Sequence, residues 1–151
     1  MGFITGLPDI NGFNALLVCV DKFSRLCWLI PCRAGENELS APAIAKLFFE
    51  HFVRLYGVPH VVLHDRDPRF TAAFWKEVWK ILGCKAVFSL AFHLQTDGQT
   101  ERHNRTIEQV VRVLGHEHGL SWLEMISLVE MIMNNAVIDS TCMSPAFILY
   151  G

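Results

Sequence analysis

With 151 residues, 52% of them apolar and 11 of them Phe, the chain fits one domain with a substantial core, and its composition excludes a disordered segment. A formal charge of −2 excludes nucleic-acid binding by bulk electrostatics, so any such contact must come from a local patch. Apolar runs such as residues 15–20 stop far short of the roughly 18 residues that span a bilayer, and Met1-Gly2-Phe3 opens no secretory signal, so no membrane partner is expected.

The first third of the chain reads as strands. Phe3-Ile4 is a short apolar start, and Asn11-Gly12 is a strong hairpin signal because both positions tolerate positive φ. Residues 13–20 are almost wholly apolar, as in a central strand buried on both faces. Residues 21–25 turn the chain into a third strand over residues 26–31. A helix follows, with Ser40 at its N-cap, Pro42 in its first turn and Gly57 at its end. Ile44, Leu47, Phe48, His51, Phe52 and Leu55 form its apolar face.

The β-branched word Val61-Val62-Leu63 predicts a fourth strand running into His64-Asp65. A second helix is predicted over residues 70–82, and a fifth strand over residues 85–89. After a polar loop, a third helix starts near Gly98 or Thr100. It buries Ile107, Val110, Val111 and Leu114, and its opposite face carries Glu101, Arg105, Glu108 and Arg112. Residues 122–135 form a fourth helix, whose face of Trp122, Met125, Ile126, Val129 and Met133 suits a core or a dimer surface. Ser144-Pro145 opens a short last helix. Hairpin-linked strands followed by strands joined through helices predict an α/β mixed five-stranded sheet flanked by helices, the order of an RNase H-like fold.

Cys19, Cys27, Cys32, Cys84 and Cys142 form an odd, scattered set without a CxxC pair, which points to reduced thiols in an intracellular protein. The pair that carries chemistry is acidic. Asp65 stands at a strand end and Glu101 in the first turn of a helix, with 35 residues between them. Two carboxylates on different elements can converge on Mg²⁺, a hard ion that prefers oxygen, and support in-line phosphoryl displacement. The competing explanation is a turn residue and a carboxylate favoured by a helix N-terminus.

The flanking words decide between them. His64-Asp65-Arg66-Asp67-Pro68-Arg69-Phe70 and residues 93–104, with Gln95-Thr96-Asp97-Gly98-Gln99-Thr100-Glu101, resemble the two segments that carry the second Asp and the Glu of gypsy-type LTR retrotransposon integrases. Phe3 to Pro8, Phe74-Trp75-Lys76 and Met143-Ser144-Pro145 match as well, so the resemblance covers almost the whole chain. It implies one integrase catalytic core-like domain over residues 1–151. The family's first strand would be cut short at Met1, with neither a zinc-binding N-terminal domain nor a C-terminal DNA-binding module. It implies Asp65 and Glu101 as catalytic metal ligands for Mg²⁺ or Mn²⁺. Water and then a DNA 3′-hydroxyl would attack a phosphodiester, in 3′-end processing and strand transfer. Arg102, Asn104 and Arg105 would contact DNA phosphates, positioning the duplex without reading sequence. Retrotransposon ends and target DNA, a homodimer or higher homo-oligomer, and a nuclear location are the implied partners and place.

Two departures matter. The family has a third carboxylate in a Met-Asp-Phe-Ile-like word, whereas this chain reads Met1-Gly2-Phe3-Ile4. Losing even an outer partner of a metal site costs ~10–100-fold, and losing a direct ligand should cost more. Metal affinity should weaken and catalysis should be impaired. Leu94 replaces the Pro that stiffens the family's loop before the Glu. A non-catalytic, decayed or domesticated module that binds nucleic acid or protein is therefore the second reading. An RNase H-type nuclease is a remote third.

Overall fold

The alternating N-terminal segment folds as a meander. In a computed structural model, residues 1–35, 39–59, 61–62, 64, 70, 72–82, 105–107, 109, 121–139 and 141–151 are described. Their strands are β1 (Gly2–Ile10), β2 (Phe13–Val20) and β3 (Cys27–Cys32). Their helices are α1 (Ala41–Phe48), α2 (Arg54–Tyr56), α3 (Ala72–Ile81), α4 (Trp122–Asn135) and α5 (Pro145–Tyr150). The chain divides into two compact units, Met1–Cys32 with Gly98–Gly151, and Arg33–Asp97.

In the first unit the strands pair antiparallel in the order β1-β2-β3, with Gly2 opposite Val18 and Val18 opposite Leu29. The expected hairpin turn forms. Asn11 and Gly12 take φ of 55° and 84°, and the Asp9 carboxylate accepts the Gly12 N–H at 3.0 Å. The register shifts between Thr5 and Ile10, where Gly6 at φ +78° supplies a left-handed residue that a bulge can use.

Period-2 alternation puts Gly2, Ile4, Leu16, Val18, Cys27 and Leu29 on one face. That face packs with Trp122, Ile126 and Val129 of α4 and with Ile107, so the apolar face of α4 is core. Ala15, Leu17 and Cys19 on the other face are buried too, as the unbroken apolar run of β2 predicts.

α4 starts with a capping box. Ser121 Oγ accepts the Glu124 N–H, and the Glu124 carboxylate accepts the Ser121 N–H at 2.9 Å. Its last turns reach the edge of β3 that β2 does not pair. Asn134 accepts the Cys27 N–H and donates to the Cys27 carbonyl, both at 2.8 Å, while Glu130 accepts the Leu29 N–H at 2.6 Å.

The mixed five-stranded sheet needs correction. Among the described residues the sheet has three strands, all antiparallel. Val61 and Val62 carry no strand geometry, and Val61 is half exposed. β-branched side chains favour a strand only where a neighbouring strand completes the pairing, and those two residues have no ladder among the described ones. Residues 85–89 lie outside the described set.

In the second unit, α1 continues through a π-helical turn, Phe49–Val53, into α2. Ser40 stands at the N-cap without a side-chain cap bond, and Pro42 fills the first turn as expected. The wider π turn adds a residue and rotates everything after it. Val53 is buried, whereas His51 and Leu55, which a regular period would bury, are exposed. Gly57 at φ +81° ends the helix. α1 and α3 meet through rings: Phe48 lies 5.8 Å from Phe74 and 6.1 Å from Trp75, both edge-on, and Phe70 closes on Phe74 at 5.8 Å.

Candidate functional site

Position 2 is the one expected ligand position that can be followed in detail. Gly2 is buried in β1 opposite Val18, with an ordinary strand φ. Its neighbours on that face are Ile4, Leu16 and Val18. Among the described residues, none of these neighbours offers an oxygen donor from its side chain, and position 2 itself contributes no ligand. Among the described residues, no three His, Cys, Asp or Glu side chains gather as a ligand set. Asp9 does not replace the missing carboxylate. It is committed to the hairpin turn, at the opposite end of β1.

Asp65, Glu101, Arg102 and Asn104 lie outside the described residues. Arg105 is described. It is exposed on a helical segment spanning residues 105–107, and Ile107 of that segment is fully buried. Ile107 belongs to the same core cluster as Ile4. The fold therefore brings residues 105–107, which follow Glu101 closely in the chain, to the sheet face that carries position 2. His64, next to Asp65, is buried with its ring 5.2 Å from Phe70.

The sequence treated residues 21–25 as a plain turn, but the structure shows more. The Asp21 carboxylate accepts both the Ser24 N–H at 2.7 Å and the Ser24 hydroxyl at 2.8 Å. The Arg25 N–H donates to the Asp21 carbonyl at 3.0 Å, the Asp21 N–H to the Leu26 carbonyl at 2.8 Å, and the Leu26 N–H to Ser24 Oγ at 3.1 Å. Ser24 is fully buried, and Arg25 is held at φ 66°, unusual for a residue with a Cβ. The rigid turn holds out Lys22 and Phe23, the latter 81% exposed. The signal available in the sequence was an aromatic between two cations.

No family model matches the chain. Over 150 residues it is 38% identical to the Transposon Tf2-3 polyprotein of Schizosaccharomyces pombe, a match that takes in 99% of this chain and 11% of the polyprotein. The chain thus spans about a ninth of that relative's length. In fold it is similar to the HTLV-2 integrase catalytic core domain solved with magnesium in a trimeric form (TM-score 0.64, 18% identity, 97% of this chain and 93% of that one). It is also similar to the BIV integrase catalytic core domain (TM-score 0.62, 19% identity, 97% and 91%).

Proposed function

Starting from a chain that is homologous to one segment of the Tf2 transposon polyproteins and shares the fold of retroviral integrase catalytic cores, we propose that it is the integrase core of a gypsy-type LTR retrotransposon with impaired chemistry. In this reading it is a single polynucleotidyl transferase domain that works on DNA ends. Asp65 and Glu101 are its remaining metal ligands. Arg102, Asn104 and the exposed Arg105 meet DNA phosphates. It acts in the nucleus as a homodimer or higher oligomer, a reading that the trimeric form of the HTLV-2 core supports by analogy. Among the described residues no helix is long and apolar enough to cross a membrane.

The observation that carries this reading is the shared cluster of Ile4 and Ile107. It supports a site assembled where the first strand meets the chain just after Glu101, as the family's chemistry requires. Mg²⁺ or Mn²⁺ bound there would supply Lewis-acid stabilisation of the phosphodiester. With Gly2 in place of a carboxylate the donor set is incomplete, so affinity is weakened and only residual activity is expected.

Metal-dependent joining of labelled DNA ends tests the reading. The chain as it stands should join ends poorly or not at all. Gly2→Asp, which the strand backbone at position 2 accommodates, should raise joining at least tenfold. Equal joining by both versions would sink the account of the missing ligand. Gly2 also favours the second reading, a non-catalytic module that binds DNA or protein. That reading expects DNA binding by both versions and joining by neither.

A further inference from the structure

We propose that the β2–β3 turn is a second nucleic-acid contact, in which Phe23 stacks on an unpaired base at a DNA end while Lys22 and Arg25 meet the flanking phosphates. The proposal rests on the DNA-end reading above and extends it to residues outside the carboxylate set.

Three features carry it. First, the turn is preorganised. Asp21 and Ser24 bind each other and the turn backbone, and Arg25 is kept left-handed by that network. A rigid turn loses little freedom when a ligand arrives. Second, Phe23 is 81% exposed between Lys22 and Arg25. An aromatic face with a cation on either side is the chemistry that grips unpaired nucleotides, because every base has a stacking face and every nucleotide a phosphate. Asp21 keeps its negative charge but turns its carboxylate onto Ser24, so the turn still carries two cations against one anion. In a chain of net charge −2, such a local patch is what DNA contact requires.

Third, the turn is in the right place. Gly2 pairs with Val18, and β2 then runs on to Val20, so the turn caps the end of the sheet at which position 2 lies. Three residues of extended chain separate Val18 from Asp21, about 10 Å. A strand end bound near position 2 would lie within reach of this tip.

Fluorescence anisotropy with the full chain tests the proposal, using a DNA duplex with an unpaired 3′ overhang and a blunt duplex of the same sequence. Phe23→Ala should weaken overhang binding about tenfold and change blunt-duplex binding little. Phe23→Trp should bind the overhang like the original chain. Lys22→Gln should flatten the salt dependence of overhang binding by a slope of roughly 0.7. An exposed ring makes these variants safe for folding, which a matching melting temperature would verify.

Unchanged overhang binding by Phe23→Ala overturns this inference and leaves the DNA-end reading standing. Equal losses on both duplexes, or a Trp variant as weak as the Ala variant, overturn it as well. An original chain that binds neither duplex overturns both the inference and the reading beneath it.

Discussion

The β3–α4 contact and the α1–α3 contact hold their units together by different physics. At β3, side chains of α4 bind backbone atoms: Asn134 takes both polar groups of Cys27, and Glu130 takes the Leu29 N–H. Such bonds are directional and tie one helix turn to one strand position. They also close a sheet edge that would otherwise offer its N–H groups to another chain. Between α1 and α3 the contact is a cluster of Phe48, Phe70, Phe74 and Trp75, and the ion pairs Lys46–Glu50 and Lys80–Glu77 run along single helices. Ring packing sets area and shape but is less exacting about register, and a π turn in the adjoining helix is compatible with it. The comparison teaches that in the sheet unit a few polar atoms fix the register of α4 against β3 on top of a shared apolar core, whereas α1 and α3 meet through ring volume.

The largest test breaks the volume side. Phe74 is fully buried and touches Phe48, Phe70 and Trp75. Phe74→Ala should cost about 3–5 kcal/mol in urea unfolding, and Phe74→Leu clearly less, since it keeps much of the volume. Equal costs would mean that ring geometry, rather than volume, holds the pair. A smaller test breaks the polar side. Asn134→Ala removes two hydrogen bonds and leaves the Cys27 N–H and carbonyl short of a partner, at a cost of about 2–3 kcal/mol. Asn134→Leu adds apolar volume and should not recover that loss. Hydrogen exchange should quicken at the Cys27 amide in both variants. Recovery by Leu would show that α4 is held to β3 by packing after all.

The same contrast explains how much was legible beforehand. β2, β3, the Asn11-Gly12 turn and α4 follow from local rules of period and turn chemistry and appear where those rules put them, whereas β1 runs on to Ile10, well past the short Phe3-Ile4 start that the sequence suggests. The Ser121–Glu124 capping box is also written in the sequence, as Ser-x-x-Glu before an apolar run. The π turn was not legible, because a pattern read at 3.6 residues per turn cannot announce one added residue, and so His51 and Leu55 were assigned to the wrong face. Val61 and Val62 show the limit of propensity, since among the described residues they take no strand geometry despite their β-branched side chains. The departure of Gly2 from the family's first-strand word was legible from that word alone. The meeting of the first strand with the segment after Glu101 was not, because it depends on Ile4 and Ile107 packing together across more than a hundred residues. The exposed tip at Phe23 was hidden by its own setting, a charged turn that looks like any other.

Near neutral pH the smallest expected effect lies in the buried thiols of the sheet, which act only as the pH is raised. Burial pushes the Cys19 thiol up from its ordinary 9.0 to about 12. Burial, reinforced by the nearby Glu130 carboxylate, pushes Cys27 up to about 12 as well. Between those values the unfolded chain loses these protons while the folded chain keeps them, so the unfolded state binds fewer protons and stability falls as pH rises. The stabilisation is fully present below about pH 9 and is lost progressively toward about pH 12. Each thiol should steepen that loss by up to about 1.4 kcal/mol per pH unit. Urea midpoints measured on either side of pH 9 should therefore diverge, and the divergence should shrink in Cys27→Ser, whose hydroxyl does not titrate there. A thiol reagent near neutral pH should modify the exposed Cys142 and spare Cys19 and Cys27 until the sheet unfolds. If Cys27 is modified as fast as Cys142 in the folded chain, then α4 lifts away from β3 readily, and the polar bonds of Asn134 and Glu130 are weaker than their lengths imply.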